Sequence, residues 1–317
     1  MNKKYLLGAL AALAVLAGPA LAQYPDKAVR IVVPFAAGGG VDALARPFAR
    51  ELGQVLGQSI VVENKPSNTG QIGATDVARA KPDGYTLLLS SAAFATTPAF
   101  YPEVPYDPVK DFAPVMIMAA APQVLVASNT FEAGSLQDVL AQARQSDRIN
   151  FALSASTGIQ ALATAMLAGQ AGVSFTKIPY KGAGAAFMDL ISGEVDLMID
   201  NPASSLVHVR SGKLRVLATT GAQRMAILPD VPTVAETLPG FEARNWFVLA
   251  APAGTPAQVV GLLNEAARKA LMTPAMQQML ARDGITLVAD QPHEAARFLQ
   301  AEISKWTKVV RDADLQP

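Results

Sequence analysis

Short apolar runs alternate with stretches of helical spacing along most of the chain. The runs are rich in β-branched and aliphatic residues and end at small or polar residues, which is typical of buried strands. Because helical patterns separate the runs, the sequence predicts an α/β fold in which a parallel sheet carries crossover helices. Strands are predicted at residues 30–35, 59–65, 85–91, 123–128, 149–155, 196–200, 214–219 and 246–252.

The segment after the first predicted strand has an apolar stripe at helical spacing. We expect this stripe to face the sheet and Gly57 to end the helix. Its members are Val41, Leu44, Ala45, Phe48, Leu52, Val55 and Leu56.

The C-terminal part of the chain reads as three consecutive helices. Thr255-Pro256 and Thr273-Pro274 each place a hydroxyl before a proline, which predicts two capped helix starts. Residues 290–292 precede a third helix with one apolar stripe. Three helices after the last predicted strand indicate a C-terminus that returns to cover an earlier domain.

One local pattern recurs four times: a strand, a turn of small and hydroxyl residues, and then a helix. The first N–H groups of a helix lack intrahelical partners, and glycines let an anion approach them closely. The pattern therefore predicts an anion site, although glycines also serve tight turns that bind nothing. It occurs at residues 34–42, 153–163, 180–190 and 199–207.

The first 22 residues have the features of a secretory signal peptide. Lys3 and Lys4 precede an apolar run, and Ala20-Leu21-Ala22 matches a signal-peptidase site. The run is shorter than the roughly 20 residues that span a bilayer. We expect cleavage after Ala22 and a periplasmic protein.

Charge and composition exclude several classes of partner. Without Lys3 and Lys4, 24 basic side chains stand against 26 acidic ones, so neither nucleic acid nor an anionic membrane surface is expected to bind. The chain has no cysteine and only two histidines. Disulfides and thiolate metal sites are therefore excluded, and we expect neither a metal nor a cofactor.

The residues suggest two enzymatic interpretations. Gly38, Gly40 and Ala43 fit a dinucleotide-binding fingerprint, with Glu63 at the end of the next strand, but an exported chain would find little nicotinamide cofactor. A serine hydrolase would need His208 or His293 as its base, and no G-x-S-x-G elbow is present. The sequence contains no arrangement typical of catalysis.

Several collinear segments resemble the substrate-binding receptors of tripartite tricarboxylate transporters. The resemblance covers essentially the whole chain after residue 22 and keeps the family's order of motifs. The segments are PFAAGGGVDALAR (34–46), VVENKP (61–66), ARAKPDGYTLLLSS (78–91), IPYKGAGAAFMDLISGEVDLMIDN (178–201), SGKLRVLATTGAQR (211–224), LPDVPTVAET (228–237) and WFVLAAPAGTP (246–256).

This resemblance implies a two-lobe periplasmic binding protein, type II-like, that closes on its ligand like a Venus flytrap. The first lobe would comprise residues 23–122 and 248–317, and the second residues 123–247. The ligand would be a small carboxylate: a di- or tricarboxylate, an acidic amino acid or an aromatic acid. The partner would be the permease of a tripartite tricarboxylate transporter, although many members of the family are orphans with no neighbouring permease. Independently of the resemblance, a monomer is the default expectation.

The resemblance also implies a set of ligand-binding residues from both lobes. In the first lobe these are Phe35, Ala36, Gly38, Gly39, Asp42, Ser90 and Ser91. In the second lobe they are Ser156, Thr157, Gly158, Lys181 and Asp200.

Structural roles remain open for three of these residues. Asp42 suits the first turn of a helix, Lys181 suits a solvated loop, and Asp200 suits a helix cap near Ala203. The family often has Gly-Ala-Gly-Gly after Asn-Lys-Pro, whereas residues 67–70 here read SNTG. The predicted function is carboxylate capture for transport; the alternatives are a sensor subunit that presents a ligand to a signalling receptor, and an exported dinucleotide-binding enzyme.

Overall fold

The computed structural model describes residues 24–37, 40–67, 69–146, 148–154, 158–180 and 183–313. They form two α/β lobes, each built on its own sheet, which confirms the predicted two-lobe fold. Residues 1–23 lie outside these ranges, so the signal peptide stays a prediction. Within the described ranges, no helix combines the length and the apolar character needed to cross a bilayer.

The first lobe contains a six-stranded sheet in the order β11-β4-β10-β3-β1-β2. Strand β1 runs parallel to β2 and β3, whereas β10 runs antiparallel to both β3 and β4. The strands are β1 (Val29–Val33), β2 (Ile60–Asn64), β3 (Thr86–Ser91), β4 (Phe112–Pro122), β10 (Arg244–Pro252) and β11 (Thr286–Leu287).

The second lobe contains a five-stranded sheet in the order β7-β6-β8-β5-β9. Strand β6 is parallel to β7 and β8, and β5 is antiparallel to β8 and β9. The strands are β5 (Val124–Ser128), β6 (Asn150–Leu153), β7 (Thr176–Pro179), β8 (Leu197–Asp200) and β9 (Leu214–Thr219).

Ten helices of the described residues cover the faces of the two sheets. In the first lobe they are α1 (Gly40–Leu56), α2 (Gln71–Ala78), α3 (Ala93–Phe100), α8 (Ala257–Leu271), α9 (Pro274–Arg282) and α10 (Pro292–Asp312). In the second lobe they are α4 (Leu136–Ala143), α5 (Ile159–Ala171), α6 (Ala183–Ser192) and α7 (Pro202–Arg210).

The predicted apolar stripe of α1 faces the first sheet, with one exception. Leu44, Phe48 and Leu52 are almost fully buried, whereas Val55 is 38% exposed. The helix ends at Leu56, and Gly57 follows with a φ of +65°, a conformation that favours glycine. The prediction of the helix and of its end is therefore confirmed.

All eight predicted strands are present, but the sheets are mixed rather than parallel as predicted. Strands β4, β7 and β11 were missed. Strand β4 reads FAPVMIMAAAP and is apolar almost throughout, and such a run has no alternation that separates a buried strand from a helix. Because β10 returns antiparallel between β3 and β4, local pattern alone could not give the strand directions.

The predicted capping by two threonine hydroxyls was wrong. Thr255 Oγ1 donates to the carbonyl of Pro252 at 2.8 Å, and Thr273 Oγ1 donates to that of Ala270 at 3.0 Å. Each hydroxyl therefore closes the turn before its helix. The helices do begin next to the expected prolines, at Ala257 and Pro274.

The chain crosses between the lobes twice, at Gln123 and again just before Arg244. Thr220, directly after β9, is hydrogen-bonded to Gln123 and to Ala243 and so joins the two crossings. Gln123 alone separates β4 from β5, and its N–H donates to Thr220 Oγ1 at 2.7 Å. In return, the Thr220 N–H donates to the Gln123 carbonyl at 2.9 Å. The predicted lobe boundaries stay a proposal; β10 pairs with β4 from Arg244 onward, four residues before the expected boundary.

Helix α10 contacts both lobes, as a C-terminus that returns over the fold would. Its N-terminal half packs Leu299 into the first-lobe cluster that contains Trp246. Its C-terminal half packs Trp306 into the second-lobe cluster around Phe151. The carboxylate of Glu302 lies between these halves and accepts hydrogen bonds from both indole N–H groups, each at 2.8 Å.

Candidate functional site

A cleft of about 600 Å³ lies between the two lobes, next to the crossing strands. The first lobe lines it with the turn after β1, the first residues of α1, the end of β3 and the start of β10. The second lobe contributes the first turn of α7. The segment from α9 to β11 forms a further wall through Met279, Asp283 and Ile285.

The turn after β1 is held in place by Asn64 at the end of β2. Asn64 Nδ2 donates to the carbonyl of Phe35 at 3.1 Å and to Asp42 Oδ1 at 2.9 Å. Helix α2 approaches so closely that a Cβ on Gly73 would lie 2.8 Å from Pro34. The backbone at Pro34 and Phe35 is thus held in place without a ligand, and Phe35 and Ala36, two of the predicted ligand contacts, line the cleft.

Asp42 is buried within this support and is 3% exposed. One carboxylate oxygen accepts from Asn64, and the other accepts from Arg46 Nε at 2.9 Å. These contacts hold the first turn of α1 against β2. Asp42 is not among the residues that line the cleft, and its role as a ligand contact stays a prediction.

The two serines that end β3 differ in position. Successive residues of a strand point to opposite faces of the sheet. Ser91, opposite Phe247 of β10, lines the cleft, whereas Ser90, opposite Val248, is 2% exposed and is not part of the lining.

The second-lobe wall is the N-terminus of α7. Asn201 is the N-cap residue in an extended conformation, and Pro202 occupies the first helical position. Asn201, Pro202, Ala203 and Ser204 all line the cleft. The first turn of α7 therefore borders the same cavity as the first residues of α1.

Asp200 lies beneath this first turn and is 2% exposed. Its carboxylate accepts a hydrogen bond from the Ser204 hydroxyl and one from the backbone N–H of Asn201. Burial raises the pKa of Asp200 to about 6, and the two hydrogen bonds oppose this rise. The residue thus supports the helix start, one of the roles left open by its sequence, and its contact with ligand stays a prediction.

Asp200 should make stability depend on pH in a direction that follows from its raised pKa. The folded protein binds the proton of Asp200 more tightly than the unfolded chain does, because burial raises the pKa from 3.8 to about 6. The protonated side chain therefore contributes its full stabilisation below about pH 4, and this contribution is lost as the pH rises to about 6. We expect the stability of Asp200→Asn relative to the wild type to rise by up to about 3 kcal/mol between pH 4 and pH 7.

Urea unfolding of both proteins at several pH values measures this difference. Burial also raises the pKa of Asp290 to about 6, but Asp290 titrates in both proteins and cancels in the comparison. A difference in unfolding free energy that stays constant with pH would contradict the prediction.

The other predicted ligand contacts are not seen at the cleft among the described residues. Gly158 is the N-cap residue of α5, with a φ of +104°, and is not among the lining residues. The predicted contacts Gly38, Gly39, Ser156, Thr157 and Lys181 lie outside the described residues.

Sequence reasoning missed part of the lining. The sequence predicts an anion-binding turn at residues 199–207, but it does not distinguish Asn201 and Ser204 within that turn. Asn245, whose Oδ1 accepts from the Ala92 N–H at 3.4 Å, reaches the cleft only because β10 crosses between the lobes. Met279 and Ile285 reach it through the returning C-terminal segment, and nothing in their local sequence marks them.

The site gives little support to the enzymatic interpretations. Neither histidine is among the described residues that line the cleft, and the ring of His208 lies 4.7 Å from that of Phe187. In a dinucleotide-binding enzyme Glu63 would bind the ribose hydroxyls of the cofactor. Here it pairs with Arg30 at 2.7 Å and with Lys65 at 3.5 Å. The hydrogen bond from Arg30 lowers the pKa of Glu63, which is a structural use of its charge.

Comparisons with known proteins agree with the fold and with the predicted resemblance. Residues 44–315 match the profile of the tripartite tricarboxylate transporter family receptor. Protein BugT of Bordetella pertussis is 38% identical over 312 residues, which cover 97% of this chain and 96% of BugT.

Two similar solved structures contain an organic acid. MatC from Rhodopseudomonas palustris with bound malate is 33% identical, has a TM-score of 0.76, and is matched over 90% of this chain and all of its own. An R. palustris protein with adipate is 35% identical and has a TM-score of 0.80. The match covers 93% of this chain and 99% of that protein.

Proposed function

Because the chain belongs to the receptor family of the tripartite tricarboxylate transporters, we propose that it captures a small carboxylate between its two lobes. The ligand would bind in the cleft described above and then pass to the permease of such a transporter. The receptor would act in the periplasm, after export, as a monomer. Members of the family are binding receptors, and binding accounts for the site without a catalytic step.

One observation carries this proposal: helix N-termini from opposite lobes border the same cavity. The first residues of α1 and of α7 both line the cleft. Each helix start presents N–H groups without intrahelical partners and a partial positive charge, worth roughly 0.3–2 kcal/mol to a bound anion. A carboxylate between them would be stabilised without an arginine or lysine, and none occurs among the described lining residues.

The same geometry supports coupling between binding and closure. A carboxylate reaches the N–H groups of both lobes only when the lobes are close together, so ligand would favour the closed form. The single residue between β4 and β5 and the paired second crossing give the lobes a short hinge. The relatives with malate and with adipate support an organic acid as the ligand class.

A thermal-shift panel tests the proposal. The panel contains hexanoate, benzoate, adipate, malate and citrate, with neutral sugars and nucleotides as controls. A ligand at about 100 times its dissociation constant stabilises the folded state by about 2.7 kcal/mol, which should raise the melting temperature by roughly 5 °C or more. A shift by sugars or nucleotides, with none by any organic acid, would overturn the proposal.

A further inference from the structure

We propose that the cleft selects an acid with one carboxylate and an apolar body over an acid with two carboxylates, an inference that rests on the proposed function. Most of the described side chains at its surface are apolar. They come from the turn and helix after β1, from β10, and from the wall between α9 and β11: Phe35, Val41, Leu44, Phe247, Met279 and Ile285.

The charged group in the described lining is an acid. Asp283 is the only ionisable residue among these lining residues, and it belongs to the wall between α9 and β11. Its two carboxylate oxygens accept from Arg282 Nε at 2.8 Å and Nη2 at 3.0 Å. Arg282 itself is not part of this lining, and its side chain is 73% exposed to solvent.

Among the described lining residues, a second ligand carboxylate would find no cation to compensate its charge. One carboxylate can use the starts of α1 and α7, together with the amides of Asn201 and Asn245. A second one would lie near apolar side chains and a like charge, and a desolvated carboxylate without a partner is costly. An apolar chain or ring in the same place would instead bury its surface against Phe247, Met279 and Ile285.

Hexanoate and adipate provide a matched test because they differ only at the far end of a six-carbon chain. We expect the wild-type protein to bind hexanoate roughly 10- to 100-fold more tightly than adipate, as calorimetric titration would measure. Adipate binding that equals or exceeds hexanoate binding would overturn the inference. Failure of every organic acid in the panel would instead overturn the proposed function.

If neither of the two binds, the acid with the largest thermal shift replaces them. It is then compared with its analogue in which one carboxylate is changed to a methyl group. For a ligand with one carboxylate, the comparison is with its analogue that carries a second carboxylate at the far end. In either pair, preference for the compound with two carboxylates, or no preference, would again overturn the inference.

Two variants test whether the wall formed by the segment from α9 to β11 causes this selectivity. Asp283→Asn should narrow the preference for hexanoate over adipate by roughly fivefold or more, and Met279→Lys, which adds a cation, should reverse it. Glu265→Gln is the control for net charge, since Glu265 is exposed on α8 outside the lining. An unchanged preference in both wall variants would exclude these residues as the cause of selectivity.

Discussion

Ala203→Glu is expected to weaken carboxylate binding by about 100-fold, because a new negative charge roughly 5 Å from the ligand costs about 3 kcal/mol at an effective dielectric constant near 20. Ala203 lies in the first turn of α7, is exposed, and lines the cleft. The substitution should therefore leave the fold intact and act on the ligand. Calorimetric titration with the best acid of the panel measures the loss.

Ala43→Glu extends this test to the other lobe. Ala43 is exposed in the first turn of α1 and lines the same cleft. If a carboxylate bridges the two helix starts, both glutamates should weaken binding, whereas Ala203→Gln and Ala43→Gln should have much smaller effects. If the glutamate substitution weakens binding in only one of the two lobes, the ligand does not bridge them. If the glutamate and glutamine variants weaken binding equally, the cause is steric blockage and not charge.

Glu302→Leu is expected to destabilise the protein by roughly 2–5 kcal/mol, because two buried indole N–H groups would lose their acceptor. Trp246 and Trp306 are both fully buried, and both donate to Glu302 Oε2 at 2.8 Å. Glu302 also pairs with Lys305 at 2.6 Å. The single carboxylate thus stabilises β10, α10 and the contact of α10 with the second lobe.

Glu302→Gln is the matched control for this prediction. Its amide oxygen can still accept from both indoles, so we expect a loss of only about 1 kcal/mol, mostly from the charge. The chain contains two tryptophans, and these are the two, so intrinsic fluorescence during urea unfolding reports directly on the contact. Equal stability of the leucine and glutamine variants would contradict the assigned role.

Much of the fold could be predicted because burial imposes local patterns. The strand RIVV and the helix that follows it carry apolar residues at the spacing of their own structures, and Gly57 marks the helix end. Strand β4 carries no such signal, since it is buried over most of its length. The direction of β10 depends on its neighbours in the sheet, which are distant in the sequence.

The candidate site residues are predicted by the resemblance to the receptor family, and the structure brings some of them to the cleft. Phe35 and Ala36 follow β1, Ser91 ends β3, and all three line the cleft. The resemblance also implies Asp42 and Asp200 as ligand contacts, and the structure places both in buried hydrogen-bond networks. Asn245 and Met279 could not be selected, because only the second crossing and the returning segment bring them to the cavity.

The position of β10 also affects the order in which the polypeptide can complete its lobes. The strands of the second lobe form one continuous stretch of chain, from Val124 to Thr219. The first lobe instead needs β10 between β3 and β4, although β10 begins only at Arg244. The amino-terminal lobe therefore cannot complete its sheet before β10 is available, so the lobe that comes first in the sequence depends on a strand that follows the whole second sheet.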